Sequence, residues 1–394
     1  MKTLLAATAA SALFAGMAVA EDVKIGIIYG FTGPIESLTG SMANASEAAI
    51  AEVNASGKFM DGKTKITSVR ADSTCIDSAA ATAAAQKVVT SDKVSGILGG
   101  DCSGVTNAML TNVAIPNGMV MISPSATSPA LSKVDSHGLF FRTAPSDARE
   151  GDIAADIMTE HGIKSAALTY SNSDYGKGLA EAIKSSFEAK GGKITISAAH
   201  EDGKADYSAE VAALAAAGGD ILIVAGYLDQ GGSGVIRAAL DTGAFTKFEL
   251  PGGMIGDNLI KNIPTGLEGS FGQVPGSDSP GMKILADASG GKFDVNSPYT
   301  PESYDAAALM ILAMQAAKST NPADYSKKIM EIANGPGEKI EPGELGKALE
   351  LIAAGKPIDY EGATGVHLIP PGESAGRYRE IEIKDNKITT VKFR

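Results

Sequence analysis

The chain has 394 residues, 44% of them hydrophobic and 20% charged. This is ordinary globular usage, which excludes a disordered or fibrous protein and leaves length for two or three cores. Aromatics make up only 5%, with no Trp, and 34 Lys plus Arg stand against 46 Asp plus Glu, a formal charge of −12. A net anion with no basic cluster excludes nucleic acid as a partner, because neutralising phosphates needs concentrated cations.

The first segment runs Met1-Lys2, an apolar stretch from Leu4 to Ala15, and Ala18-Val19-Ala20. One cation, a short hydrophobic run and an A-x-A end predict a secretory signal peptide over residues 1–20, cleaved after Ala20. The apolar run falls short of the ~20 residues that span a bilayer. No later segment has eighteen uninterrupted apolar residues, so the expectation is an exported protein with no direct membrane insertion. Export bears on the two cysteines, Cys75 and Cys102. An even count in an oxidising compartment favours a disulfide over two buried thiols. Each Cys also follows a strand-like run, 65–71 and 94–98, and parallel neighbours would bring those strand ends together. Neither has a metal-ligand neighbour at zinc spacing, and no metal site and no cofactor are expected.

From Val23 the chain alternates short β-branched runs with longer helix-like stretches. Val23 to Tyr29 predicts a strand, Gly30 to Pro34 a turn, and 39–54 a helix that stops at Gly57. Next come strand 65–71, helix 77–90, strand 94–98, helix 104–113 and strand 118–122. After Phe140-Phe141-Arg142 the rhythm restarts with helix 146–161, strand 164–170, helix 176–189, strand 193–199, helix 207–216, strand 220–225 and helix 233–241. Helices at 301–318, 324–333 and 344–354 follow, and 377–393 reads as a β-hairpin around Asp385-Asn386.

Repeated strand–helix units with short apolar strands imply parallel sheets covered by helices on both faces. Two sheets of about five or six strands fit this length better than one sheet of ten. The predicted fold class is therefore α/β, with two Rossmann-like lobes. Residues 21–142 plus 275–350 are assigned to the first lobe, and 143–274 plus 351–394 to the second. The linkers between them are expected near 142–147, 271–276 and 350–360.

Ligands of open parallel sheets sit beyond the C-terminal strand ends. The segments after the first, third and fourth strands are GFTGPIESLTG (30–40), GGDCSG (99–104) and ISPSATS (122–128). They offer backbone N–H groups, hydroxyls and helix N-termini suited to a carboxylate or another polar oxygen. Nucleotide signatures are missing: there is no G-x-x-x-x-G-K-[ST], and no G-x-G-x-x-G after a strand. No G-x-S-x-G elbow is present. His137, His161, His200 and His367 are scattered, and nothing forms a nucleophile–base–orienter set. The chain is accordingly not expected to be an enzyme, and no catalytic residue is assigned.

At these loops the sequence resembles the periplasmic solute-binding proteins of ABC transporters of the branched-chain amino acid (leucine/isoleucine/valine-binding) type, which have the class I periplasmic binding fold. The likeness is strongest in EDVKIGIIYGFTGPIES (21–37), GGDCSG, MISPSATSPALS (121–132), FRTAPSD (141–147), NSDYGKGLA (172–180) and SYDAAALM (303–310). The resemblance implies a first-lobe carboxylate grip at Ser103, Ser125, Ala126 and Thr127, with Leu38 against the ligand. Tyr175, Tyr227 and Tyr299 are implied as pocket tyrosines, and Cys75–Cys102 as the family disulfide. One departure concerns the acid that pairs the ligand's ammonium in such binders. Here the strand near 246–250 runs into Leu250-Pro251-Gly252-Gly253-Met254, with no carboxylate until Asp257. Either Asp257 or Asp101 supplies the charge, or the ligand has no ammonium, because an unpaired buried ammonium is costly.

The expected function is a periplasmic receptor that closes on an amino acid or related small carboxylate or amide and delivers it to ABC permease subunits. The alternative is a ligand-presenting sensor component for a receptor kinase or chemoreceptor.

Overall fold

The computed structural model describes residues 22–60 and 62–394. The signal-peptide expectation over 1–20 lies outside these residues. Among the described residues, no helix is long and apolar enough to cross a membrane.

The first βα series comprises β1 (Val23–Tyr29), α1 (Glu36–Ser56), β2 (Ile66–Asp72), α2 (Ser78–Thr90), β3 (Gly96–Gly99), α3 (Ser103–Met109), β4 (Met121–Ser123) and β5 (Phe140–Arg142). The helix boundaries follow local chemistry. Gly57 ends α1 in the left-handed conformation at φ 62°, its N–H bonded to the Asn54 carbonyl, a backbone state that glycine adopts without a Cβ clash. Asp77 caps α2 by accepting from the Ala79 and Ala80 N–H groups.

The second series comprises α4 (Asp147–Glu160), β6 (Ser165–Ser171), α5 (Asp174–Ala189), β7 (Lys193–His200), α6 (Ser208–Ala217), β8 (Ile221–Ala225), α7 (Gly231–Thr242), β9 (Phe248–Leu250), α8 (Asp257–Asn262) and β10 (Phe271–Pro275). Ser146 and Ser173 cap α4 and α5. Then come α9 (Pro280–Ser289), α10 (Thr300–Ala317), α11 (Pro322–Tyr325), α12 (Ile329–Asn334), β11 (Glu338–Ile340), α13 (Leu345–Ala353), β12 (Ile358–Tyr360), β13 (Leu368–Ile369), β14 (Glu373–Ser374), β15 (Tyr378–Lys384) and β16 (Lys387–Phe393).

The strands build two seven-stranded sheets, ordered β13-β14-β5-β4-β3-β1-β2 and β16-β15-β10-β9-β8-β6-β7, with β11 and β12 as a separate pair. Within each sheet the five strands of its βα series are parallel and share the order 2-1-3-4-5. Each sheet therefore has one switch point, between β1 and β3 or between β6 and β8, where successive connections leave to opposite faces and open a crevice. Interior strands such as β8 are buried along their whole length. The edge strands β2 and β7 are half-exposed, and their sequences mix apolar with polar residues.

Three differences from the sequence-based expectation are structural. Phe271–Pro275 is a fully buried strand and not a linker. The sheets gain strands from the C-terminal segment, so each has seven and not five or six. The third passage between sheets also lies elsewhere. Residues 368–374 join the first sheet through β14, which pairs parallel to β5, and the chain enters the second sheet only at Tyr378. The crossing is therefore at 375–377 and not at 350–360, and the assignment of 351–374 to the second lobe is corrected. These strands have only two residues each, too short for any period to register in the sequence. The terminal hairpin is as expected: β15 and β16 pair antiparallel, and Asp385 and Asn386 both take positive φ, 51° and 56°, the two-residue turn that matches strand twist.

Candidate functional site

The loops beyond the strand ends of both sheets converge. Ile35 and Leu38 from the start of α1 meet Asp101, Cys102 and Ser103 from the β3–α3 turn and Ser125 from the loop after β4. Tyr175 at the start of α5, Tyr227 after β8, Gly253 after β9 and Tyr299 before α10 complete the wall of one cavity of about 20 Å³. Both switch points thus open onto the same space. Its volume suits about one water, against the ~300–1,000 Å³ typical of small-molecule sites, so the lobes are closed on each other. Leu38 also borders an outer hollow of about 270 Å³ whose wall includes Asp257, Asn258 and Arg379.

The first-lobe side is a network of hydroxyls and backbone groups. Ser103 Oγ accepts the Ser128 N–H at 3.0 Å, which leaves its own proton directed by whatever enters the cavity. Ser123 Oγ accepts the Ala126 N–H at 2.9 Å, and Ser125 Oγ donates to the Asp101 carbonyl at 3.0 Å. Arg142, 1% exposed, donates to the Ala126 and Ser128 carbonyls, both at 3.0 Å, and pairs with Glu373 at 2.6 Å. The guanidinium replaces the hydration of these carbonyls and fixes the 126–128 backbone from behind. Ala126 and Thr127 are buried beside the cavity without bordering it, and both backbone groups of Ala126 are occupied within the lobe. Asp101 accepts the Gly30 N–H at 2.6 Å and the Ser73 hydroxyl at 3.0 Å. Burial raises its pKa above the carboxylate norm, against these donors. The disulfide joins Cys75 to Cys102 with Cα atoms 5.1 Å apart, tying the end of β2 to the turn that carries Ser103.

The second-lobe side is aromatic. The Tyr175 and Tyr227 rings stack with centroids 5.0 Å apart, and Tyr175 Oη accepts the Gly253 N–H at 3.0 Å. Gly253 is required here: a Cβ would lie 2.7 Å from that hydroxyl and 2.6 Å from the Gly226 carbonyl.

The lobes are tied together at the rim. The Asp229 carboxylate accepts the Ser37 N–H at 3.0 Å in the first turn of α1, and the Asp229 N–H donates to the Pro34 carbonyl at 3.0 Å. Asn258 donates to the other Asp229 oxygen at 2.9 Å. Across the opposite edge Asn107 donates to Asp174 at 3.3 Å.

Of the residues singled out in the sequence, Leu38, Ser103, Ser125, Tyr175, Tyr227 and Tyr299 all border the cavity. Asp257 does not, and its expected place in the pocket is corrected. It opens α8 with its side chain 82% exposed, 4.0 Å from Lys261. An acid at the solvent end of a helix needs no ligand to account for it, because the helix dipole favours a negative charge there.

Sequence reasoning missed two buried acids on α4. Asp147 and Glu150 are both 0% exposed. Glu150 Oε1 accepts the Gly252 N–H at 2.8 Å and the Gln273 amide at 3.1 Å, while its Oε2 and both Asp147 carboxylate oxygens lack a hydrogen-bond partner. The Thr127 hydroxyl lies near Asp147 outside hydrogen-bond geometry. Burial pushes Glu150 up to about 7, and burial with the neighbouring Glu150 charge raises Asp147. The i,i+3 spacing at a helix start was readable in the sequence, but it predicts a solvated, dipole-favoured pair as readily as a buried one. Among the described residues, no group of three or more His, Cys, Asp or Glu could hold a metal ion.

The sequence matches the family described as Periplasmic binding protein over residues 22–333. It is 30% identical over 347 residues to the leucine-specific-binding protein of Salmonella typhimurium, covering 86% of this chain and 91% of that one. A leucine-binding protein from Thermotoga maritima superposes with a TM-score of 0.79 at 19% identity, covering 94% of this chain and 98% of that one. An ABC-transporter solute-binding protein from R. palustris, solved with 4-hydroxybenzoate, superposes with a TM-score of 0.75 at 19% identity, over 95% and 97% of the two chains.

Proposed function

Because the chain belongs to the periplasmic binding protein family, we propose that it captures an amino acid or related small carboxylate between its lobes in the periplasm and presents it to the permease of an ABC importer. The observation that carries this reading is the convergence of Leu38, Ser103, Ser125, Tyr175, Tyr227 and Tyr299 on one cavity from loops at both switch points. Hydroxyls and backbone N–H groups on one wall suit a carboxylate, and stacked tyrosines on the other suit an apolar side chain. A solute bridging the two walls adds contacts that exist only when the lobes are closed, so its binding free energy favours closure. A leucine-like or a benzoate-like solute would each suit that division of the site.

The test is a thermal-shift and calorimetric screen with L-leucine, L-isoleucine, L-valine, 4-hydroxybenzoate and benzoate. A solute at a hundredfold excess over its Kd adds about 2.7 kcal/mol of stability, a clear upward shift in Tm. Tyr175→Ala should abolish the shift. Failure of every probe to raise Tm or give binding heat would overturn the proposal.

A further inference from the structure

The three passages between the lobes run side by side. Residues 143–146 lead from β5 to α4, residues 276–279 from β10 to α9, and residues 375–377 from β14 to β15. The Gly276 N–H donates to the Arg377 carbonyl at 3.0 Å, which joins the second passage to the third. A Cβ on Gly376 would lie 2.6 Å from Cβ and Cγ of Pro145, so the third packs closely on the first.

A hollow of about 210 Å³ opens among these segments. Its wall takes Pro145 from the first passage, Ser277 from the second, Ala375 from the third and Glu302 from the first turn of α10. None of the residues that wall the solute cavity borders it, so it is separate from the cleft. Glu302 is 3% exposed, and its Oε2 has no hydrogen-bond partner. The Thr143 hydroxyl donates to the Glu302 carbonyl at 2.8 Å and fixes its backbone against the first passage. Its own N–H and the Arg379 charge favour the carboxylate, while burial and Asp305 oppose it. Nearby charges are committed elsewhere. Arg379 donates to the Asn296 carbonyl at 3.4 Å, Arg377 pairs with Asp278, and Asp305 accepts the Ala363 and Thr364 N–H groups. A buried carboxylate left in this state is costly unless a cation or a proton compensates it.

We infer that the hollow at the passages is a second binding site, for a small organic cation bearing a primary ammonium or guanidinium group, with Glu302 as its anchor. A metal ion does not fit, because among the described residues no group of three or more His, Cys, Asp or Glu could hold one. An organic cation brings its own N–H donors to the carboxylate, and Pro145, Pro275 and Ala375 offer apolar wall to its carbon stem. The walls belong to segments that must reorient when the lobes open. Occupancy of the hollow and closure of the lobes are therefore coupled, and the coupling is reciprocal.

Calorimetry and ligand-observed NMR on the full mature protein, without cleft solute and at constant ionic strength, test this. Burial raises Glu302 to about 8, so the measurements are made at pH 8. The probes are n-propylammonium and methylguanidinium, with tetramethylammonium, which has no N–H donor, for comparison. The expected result is saturable one-site binding of at least one of the first two, at least tenfold tighter than tetramethylammonium. Glu302→Gln, which keeps the size and removes the charge, should weaken that probe at least tenfold. Ala375→Leu, which fills the hollow, should do the same and serves if Glu302→Gln does not fold. No saturable binding, equal binding of tetramethylammonium, or native affinity in either folded variant overturns the inference. A solute that binds the cleft should change the Kd of the probe at least twofold, and an unchanged value overturns the coupling. If no solute binds the cleft, that reading falls, and the solute-free measurements still decide this site.

Discussion

Removing the Asp229 carboxylate asks whether closure contributes to affinity in its own right. In Asp229→Ala the Ser37 N–H loses its acceptor at 3.0 Å and Asn258 loses one at 2.9 Å, but only the first of these bonds joins the two lobes. The backbone bond from Asp229 to the Pro34 carbonyl survives the substitution. A hydrogen bond to a charged group contributes about 1.5–3 kcal/mol, and a carboxylate in the first turn of a helix about 0.3–1 kcal/mol more. Because Asp229 is only partly buried, the lower end applies, about 1.5 kcal/mol taken from the closed state alone. The Kd of the bound solute should then rise roughly tenfold, mostly as faster release, since affinity differences within one site are largely off-rate effects. Stopped-flow release and calorimetry with the tightest amino acid of the screen measure both quantities. Asp229→Asn, which keeps an acceptor and loses the charge, should fall between the variant and the native protein. Asp257→Ala is the control: its side chain is 82% exposed and outside the cavity, so Kd should stay within twofold. An Asp229→Ala protein with native Kd and release rate would refute the reasoning.

Three further outcomes are expected. Ser103→Ala deprives the buried Ser128 N–H of its acceptor, so besides weakening solute binding it should lower stability by about 1–3 kcal/mol, read as a Tm fall without solute; an unchanged Tm contradicts this. Reducing Cys75–Cys102, which closes a loop of sequence separation 27, should lower unfolding stability by about 3.5 kcal/mol in the chain-entropy model, measured by urea titration with and without reductant. Burial raises Glu249 and Glu302 to about 8 and Asp305 to about 6. Across roughly pH 4.5–8 the folded protein therefore keeps protons that the unfolded chain has released, and stability falls as pH rises, by up to about 1.4 kcal/mol per pH unit for each group. Glu249→Gln should flatten that slope in a Tm series from pH 5 to 8, and an identical slope in native and variant protein would count against the assignment.

Much of the framework is legible because strand and helix periods are local properties. The run Val23–Tyr29 and the Asp385-Asn386 hairpin carry their structure in their own residues. The cysteine pairing was legible from the even count, but its expected geometry was not: β2 and β3 are not neighbours, they flank β1 on either side, and the disulfide joins the turns beyond their C-terminal ends across it. The two-residue strands of 368–374 were not, because they exist only by pairing with β5. Asp147 and Glu150 show the same limit at the site. Their i,i+3 spacing could be read, but not their burial, which arises only when α4 is covered by β10 and by the turn at Gly252.

The amino-acid sequence by itself thus determined the alternation of strands and helices, the loops rich in Gly, Ser and Thr, and the residues those loops carry. Which loops share a wall was decided by the strand order 2-1-3-4-5 in each sheet and by the packing of one switch point against the other. The sequence could only offer Asp257, Asp101 or no acid at all as the charge facing the solute, because a side chain's distance from a cleft is set by contacts among residues far apart along the chain. Tertiary structure left Asp257 in solvent and buried Asp147 and Glu150 of α4 behind the Gly252 turn.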